Sequence, residues 1–303
     1  MGKTTHPLRI ALTVGDPFGI GPEVALATAE GCEAEVTLYG DPALLPGAEQ
    51  VVAVSVVGES PERPGPSAAG GRAALEALDR ALADIDAGRQ DALVTGPISK
   101  ESCALAGGPV DGHTPYLGRH FGVEPLMAFV WDEAEPVVGL ATTHIPLRAV
   151  PSTLTSARVE AAVRALHRAL TGPFQRPGGR IGVLGLNPHA GEGGLLGTEE
   201  SDFVAPALMR LQADGLPVEG PLPGDAAFAM RERYAGLLAL YHDQGLGPVK
   251  ALAFDRAVNV SLGLPVVRTS PAHATAFMLA GTGHADPSSM QAALAWAVRL
   301  STR

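Results

Sequence analysis

Eight short runs of almost unbroken apolar residues set the strongest limit on how this chain can fold. They are RIALTV (9–14), EVTLY (35–39), ALVTG (92–96), LMAFVW (126–131), VVGLATT (137–143), RIGVLGL (180–186), LLALY (237–241) and AVNVSL (257–262). A strand with one wet face alternates apolar and polar residues. Runs without alternation belong to strands buried on both faces, as in a parallel sheet covered by helices. Helix-spaced stripes lie between the runs. Leu75, Leu78, Leu82 and Ile85 form one, and Val159, Val163, Leu166 and Leu170 form another. Near the C-terminus, Asp286 before Pro287 reads as an N-cap with proline at the first helical position, and Met290 and Leu294 begin a buried face. Strand alternating with helix means an α/β architecture.

A chain of 303 residues is long enough for one large or two medium domains. Two Pro/Gly-rich stretches, GESPERPGPSAAGG (58–71) and TGPFQRPGG (171–179), read as exposed connections. Neither is long enough to tether independently moving domains. Apolar residues make up 46% of the chain, enough for a substantial core. The formal net charge of -10, with no basic run, argues against nucleic acid or an anionic membrane surface as a partner. Two cysteines, Cys32 and Cys103, lack the spacing of a disulfide framework or a zinc site, which suits a reducing cytoplasm. No apolar run reaches the roughly 18 residues of a membrane helix, and the N-terminal stretch is too short for a signal peptide. A soluble, cytoplasmic protein is expected.

The nine histidines carry the chemical information. His144 follows VVGLATT, His189 follows RIGVLGLNP and His242 follows LLALY, each at or just past the C-terminal end of an expected strand. Ligands of open α/β sheets bind outside that edge. Three imidazoles converging there would suit a divalent metal with open positions. Separately, each is equally an ordinary polar residue hydrogen-bonded at a strand end. His113 and Thr114, in VDGHTPYLG, offer a ring nitrogen and a hydroxyl to anchor a polar ligand. Among few basic residues, Lys250, Arg256 and Arg268 fall in one segment, with Lys250 about two helical turns after His242 and Arg268 ending a strand-like PVVR. A cation pair there would hold a phosphate and a carboxylate, while surface solvation is the plain alternative. GDPFGIGPE (15–23) and NPHAGEGGLLGTEE (187–200) fit neither the dinucleotide nor the P-loop template, and Gly2-Lys3-Thr4 lacks the strand and glycine loop it would need. His6 reads as a tail residue.

Taken in order, TVGDPFGIGPE, VTGPISK (94–100), GHT (112–114), THIPL (143–147), LNPHAGEGG (186–194), GDAAF (224–228), YHDQG (241–245), VNVSLGLPVVRTSP (258–271) and HATAF (273–277) closely resemble the 4-hydroxythreonine-4-phosphate dehydrogenase family of vitamin B6 biosynthesis. The resemblance runs from about Leu8 to Leu300. It implies two α/β/α domains similar to isocitrate and isopropylmalate dehydrogenases, with the active site in the cleft between them. Residues 1–120 with 275–303 would form the first domain, and 121–274 the second, which carries the metal histidines. It also implies a homodimer whose site is shared at the interface. NAD or NADP would oxidise the secondary hydroxyl of 4-phosphooxy-L-threonine. The resulting 2-amino-3-oxo acid then loses carbon dioxide to give 3-amino-2-oxopropyl phosphate. The family's metal histidines fall on His144, His189 and His242, for one zinc, cobalt or magnesium ion per site. Its substrate contacts fall on His113, Thr114, Lys250, Asn259 and Arg268. Lys250 and Asp243 are the catalytic candidates: Lys250 would neutralise an anionic end of the substrate, and Asp243, beside a metal histidine, would transfer a proton or support that histidine. Pro115 stands where the family usually has an acidic residue after GHT, and the chain is short, chiefly before Arg72.

Related families oxidise 4-phosphorylated threonate or erythronate, or cyclic diols, on the same scaffold. From other classes, a three-histidine metallohydrolase would use metal-bound water and no nicotinamide. A non-catalytic phosphate-binding module would not need the full histidine set.

Overall fold

The computed structural model describes residues 7–56 and 64–302. Gly2-Lys3-Thr4, His6 and the first part of the 58–71 connection lie outside them. Two compact units divide the chain, Met1–Val123 with Leu264–Thr302, and Glu124–Gly263. The chain therefore returns to the first unit at Leu264 rather than at 275, and Arg268 belongs to the first unit.

The first unit runs β1 (Arg9–Thr13), α1 (Gly21–Ala29), β2 (Glu35–Gly40), β3 (Val51–Ala53), α2 (Ala68–Asp86), β4 (Ala92–Thr95), α3 (Lys100–Leu105) and α4 (His113–Phe121). The second contains β5 (Leu126–Val130), β6 (Val137–Leu140), α5 (Val150–Thr153), α6 (Ser156–Thr171), β7 (Ile181–Leu184), α7 (Ala205–Ala213), β8 (Val218–Leu222), α8 (Gly224–Ala229), β9 (Gly236–Ala239), α9 (His242–Ala253) and β10 (Val258–Leu262). Then β11 (Val267–Pro271) and α10 (Ser288–Ser301) complete the first.

Within the first unit the strand order is β3-β2-β1-β4-β11, all pairs parallel. Its core is built by Ala11, Tyr39, Leu93 and Leu117 against Ala77, Leu78, Ala81 and Leu82 of α2. Ser67 caps α2 by accepting from the Gly70 amide at 3.0 Å. The last residues of the expected 58–71 connection are thus the first turn of that helix. Asp286 accepts from the Ser288 amide at 2.9 Å, but α10 begins at Ser288 with Pro287 as its N-cap, one position later than expected; Met290 and Leu294 are buried.

In the second unit the order is β10-β5-β6-β9-β7-β8. The sheet here is mixed and not purely parallel, because β5 runs antiparallel to both β10 and β6. β9 lies between β6 and β7 and is parallel to both. Val159, Val163, Leu166 and Leu170 of α6 are fully buried. Each such side chain contributes about 1.5–3 kcal/mol by leaving water. Three strands escape the apolar-run pattern: β3, β8 and most of β11. The first is three residues long, and β8 carries Glu219, Gly220 and Pro221, tolerated because it lies at the edge of its sheet.

Candidate functional site

In the second unit, His144, His189 and His242 come after β6, β7 and β9. These strands are adjacent and parallel, so their carboxyl ends share one edge. The loops there are tied to one another. Thr142 Oγ1 donates to the Leu240 carbonyl at 2.7 Å, linking the loop after β6 to that after β9. Gln244 accepts from the Leu240 amide through Oε1 and donates through Nε2 to the Gly185 carbonyl, both at 2.7 Å, linking the loops after β9 and β7. Gly245 lets α9 close onto the sheet, since a Cβ there would stand 2.5 Å from Leu140 Cδ2 and 2.9 Å from Ala239 Cβ. Neither Thr142 nor Gln244 stood out in the sequence, although Gln244 lies in the YHDQG motif.

The histidines are placed unequally. The rings of His144 and His242 lie 5.4 Å apart, centroid to centroid, on the wall of a cavity of about 240 Å³ that Tyr241, Asp243 and Ile145 also line. His189 is not part of that wall. It begins a left-handed turn in which His189, Ala190, Gly191, Glu192 and Gly193 all have positive φ. For non-glycine residues this conformation costs roughly 1–2 kcal/mol each, so neighbouring structure must hold the turn. His189 Nδ1 lies 2.6 Å from Glu192 Oε2, and His242 Nδ1 lies 2.7 Å from Asp243 Oδ1. A carboxylate on Nδ1 fixes the proton there and leaves the Nε2 lone pair for an ion, the usual support of a metal-binding imidazole. In this chemistry the donor set fits a divalent cation. Among the described residues, however, no three His, Cys, Asp or Glu side chains are gathered closely enough to enclose one.

Lys250 lies on α9, half-buried, with Nζ 5.8 Å from the centre of the Phe254 ring. Asn259 sits in β10, and its Oδ1 is buried with no hydrogen-bond partner among the described residues. Arg256 is an exposed residue whose Nε lies 3.7 Å from Asp255 Oδ1.

In the first unit the other expected residues meet. Arg268 is not at the end of its strand but second in β11, beside Leu93 of β4, and is 2% exposed. Its Nη2 donates to Thr95 Oγ1 at 2.6 Å. Burial pulls the guanidinium pKa down to about 9, so it remains ionised at neutral pH. His113 opens α4, and burial, aided by the Arg268 charge, holds its pKa well below the usual imidazole range. Its Nε2 is buried without a hydrogen-bond partner among the described residues. Thr114 is buried beside it, while Pro115 is exposed. Gly112, with φ near +88°, is the N-cap of α4 and, lacking a side chain, supplies no side-chain cap to that positive helix end. A buried cation, a neutral imidazole, a hydroxyl and an uncapped helix start make a setting for an anionic, polar ligand.

The glycine-rich loop after β1 is not such a setting. Asp16 is fully buried in it, and the amides of Asp16, Gly19 and Ile20 donate to carbonyls of Pro97, Asp16 and Thr275. With its amides engaged and a carboxyl group at its centre, the loop cannot cradle a pyrophosphate. Among the described residues no helix is long and apolar enough to cross a membrane.

Comparison with known proteins places these groups in context. Residues 22–297 match the family described as pyridoxal phosphate biosynthetic protein PdxA. The 4-hydroxythreonine-4-phosphate dehydrogenase of Thioalkalivibrio sulfidiphilus is 41% identical over 328 aligned positions, covering 98% of each chain. The crystal structure of the enzyme of that name from Klebsiella pneumoniae is similar with a TM-score of 0.88 and 34% identity, over 99% of this chain and 100% of that one. A terephthalate 1,2-cis-dihydrodiol dehydrogenase from Burkholderia xenovorans matches with a TM-score of 0.66 at 29% identity, covering 97% of this chain and 98% of that one. Isocitrate dehydrogenase from Methylococcus capsulatus, at 14% identity and a TM-score of 0.52 over 95% of this chain and 84% of that one, shares the fold alone.

Proposed function

The chain belongs to the family of pyridoxal phosphate biosynthetic protein PdxA, and on that premise we propose that it oxidises 4-phosphooxy-L-threonine with NAD or NADP. The observation that carries this reading is the identity of 41% spread over 98% of both chains, with a relative named for that reaction. Hydride leaves the carbon bearing the secondary hydroxyl for the nicotinamide, and the hydroxyl proton goes to a base. The product, 2-amino-3-oxo-4-phosphooxybutanoate, loses carbon dioxide and takes up a proton to give 3-amino-2-oxopropyl phosphate.

Each expected residue has a role that its surroundings support. Arg268 and the uncapped start of α4, with His113 and Thr114, bind anionic and polar groups of the substrate. A guanidinium already stripped of water meets a phosphate without further desolvation cost of its own. His113, kept neutral, orients substrate by hydrogen bonding without competing as a second cation. Lys250 and Asn259 contribute a cation and an amide from the second unit. Asp243 is the residue for proton transfer and doubles as the group that orients His242. His144, His189 and His242 would hold a zinc, cobalt or magnesium ion, which when bound lowers the pKa of a hydroxyl and stabilises negative charge on oxygen. The working form is a homodimer, and the nicotinamide is held elsewhere than in a glycine turn after β1.

The test is to assay the purified protein with NAD+ or NADP+ and a divalent metal. Candidate substrates are 4-phosphooxy-L-threonine, the 4-phosphates of threonate and erythronate, a cyclic cis-diol and unphosphorylated 4-hydroxythreonine. Cofactor reduction that is fastest with 4-phosphooxy-L-threonine is expected. Equal rates with the cyclic diol or the unphosphorylated alcohol would overturn the assignment.

A further inference from the structure

The left-handed turn that carries His189 is held from outside itself by one buried side chain. Glu200 is 5% exposed, an unusual position for a carboxylate. Its Oε1 accepts from the Asn187 backbone amide at 2.7 Å and its Oε2 from Asn187 Nδ2 at 2.9 Å. Both oxygens thus grip the residue from which the turn departs. Space for the carboxylate is left by glycine: a Cβ on Gly191 would stand 2.7 Å from Glu200 Oε2, and one on Gly185 would stand 3.2 Å from Oε1. Gly191 lies inside the turn with φ near +82°, so the glycine that permits the backbone also makes room for the clamp. Neighbouring Glu199 accepts from Asn187 Nδ2 at 2.7 Å.

We propose that Glu200 is a positioning residue for His189, its buried carboxylate fixing Asn187 and with it the left-handed turn that presents the imidazole. The inference deepens the proposed function, because it rests on His189 being a metal ligand. Glutamine cannot replace this glutamate. Asn187 offers two donors to two acceptor oxygens, and a carboxamide in place of the carboxylate would set a donor against one of them. Outer partners of metal ligands are typically worth about 10–100-fold in metal affinity.

The experiment is a Co2+ titration of the metal-free, full-length protein, followed by the visible absorption of the bound ion. It is paired with mass-spectrometric measurement of the carbethoxylation rate of each histidine without metal. Glu200→Gln is compared with wild type, Glu199→Gln, His144→Ala and His242→Ala. Expected for Glu200→Gln are about 10–100-fold weaker Co2+ binding, an altered Co2+ spectrum and a changed rate at His189 alone, with a far-ultraviolet spectrum like wild type. Glu199→Gln, which leaves the backbone bond of Asn187 in place, should have a smaller effect. Glu200→Gln that binds Co2+ like wild type, with His189 reacting at the wild-type rate, overturns the proposal. Should wild type bind no more Co2+ than His144→Ala and His242→Ala, the metal reading of the site fails. The positioning role is then decided by the rate at His189. If Glu200→Gln does not fold, Asn187→Ala removes the side-chain half of the clamp and should shift both readouts in the same direction. Wild-type behaviour of that variant also counts against the proposal.

Discussion

Replacing Arg268 with Met separates what the side chain does for stability from what it does for substrate, because the two effects have opposite signs. The guanidinium is 2% exposed, and burial brings its pKa down to about 9. At about 1.4 kcal/mol for each tenfold change, keeping the buried group ionised costs on the order of 5 kcal/mol. The hydrogen bond to Thr95 at 2.6 Å offsets part of this, by about 1.5–3 kcal/mol for a charged donor. Methionine refills most of the volume without a charge or a demanding geometry. The Arg268→Met protein should therefore be at least as stable as wild type. This is read as a midpoint in urea at neutral pH no lower than that of wild type, with an unchanged slope. Against 4-phosphooxy-L-threonine the same variant should lose about 1.5–3 kcal/mol of transition-state binding, or roughly 10–150-fold in kcat/KM. The KM for NAD(P)+ should hardly move. A variant less stable than wild type by more than about 2 kcal/mol would mean that the buried cation is already well compensated. An unchanged kcat/KM would mean that Arg268 does not meet the substrate, and the anion-binding role would fail.

His144→Ala and His242→Ala should each lose bound metal and turnover, checked by elemental analysis and assay, while the circular dichroism spectrum stays that of the wild type; normal metal content in either removes it from the ligand set. Sedimentation should show a homodimer whose interface exceeds about 2,000 Å² in total, and an active monomer at assay concentration would refute this. His113 makes stability depend on pH with a definite sign. Folded, it resists protonation, by burial first and the Arg268 charge second, whereas the unfolded chain takes up that proton near pH 6.5. The unfolded state then binds more protons, so this contribution to stability is intact above about pH 6.5 and is lost as pH falls toward the lower folded value. Urea denaturation of His113→Gln from pH 7 to 5 should show a shallower decline than wild type, and parallel curves would show that the imidazole titrates normally.

The strands that the sequence made legible were those whose burial on both faces left no alternative to an apolar run, such as Ile181–Leu184 between two neighbours. The edge strand Val218–Leu222 was not legible, because one open side lets Glu219 and Pro221 stand where an inner strand could not hold them. The antiparallel setting of β5 was equally hidden, since LMAFV is buried in the same way whichever direction its partners run. At the site, the shared edge of His144, His189 and His242 followed from the strand ends that precede them. What their backbones do did not. Left-handed dihedrals at His189, Ala190 and Glu192 contradict the local preference of those residues, and the hold on Asn187 beside them comes from Glu200, outside the turn. Arg268 read as a strand-end cation because arginine is rarely fully buried, and only the packing of β11 shows that it is.

The order β6-β9-β7 also bears on how the chain is made. β9 lies between two strands that both leave the ribosome before it, and β7 pairs with β9 and β8. Until Gly236–Ala239 has emerged, the nascent chain holds β6 and β7 with an unfilled slot between them, and the loops bearing His144 and His189 have no common frame. Under the proposed function, ion capture by these loops would therefore be tied to a late event in synthesis. A ribosome stalled before residue 236 would display two of the three imidazoles on unpaired segments, and such segments do not form a preorganised trap for a passing cation.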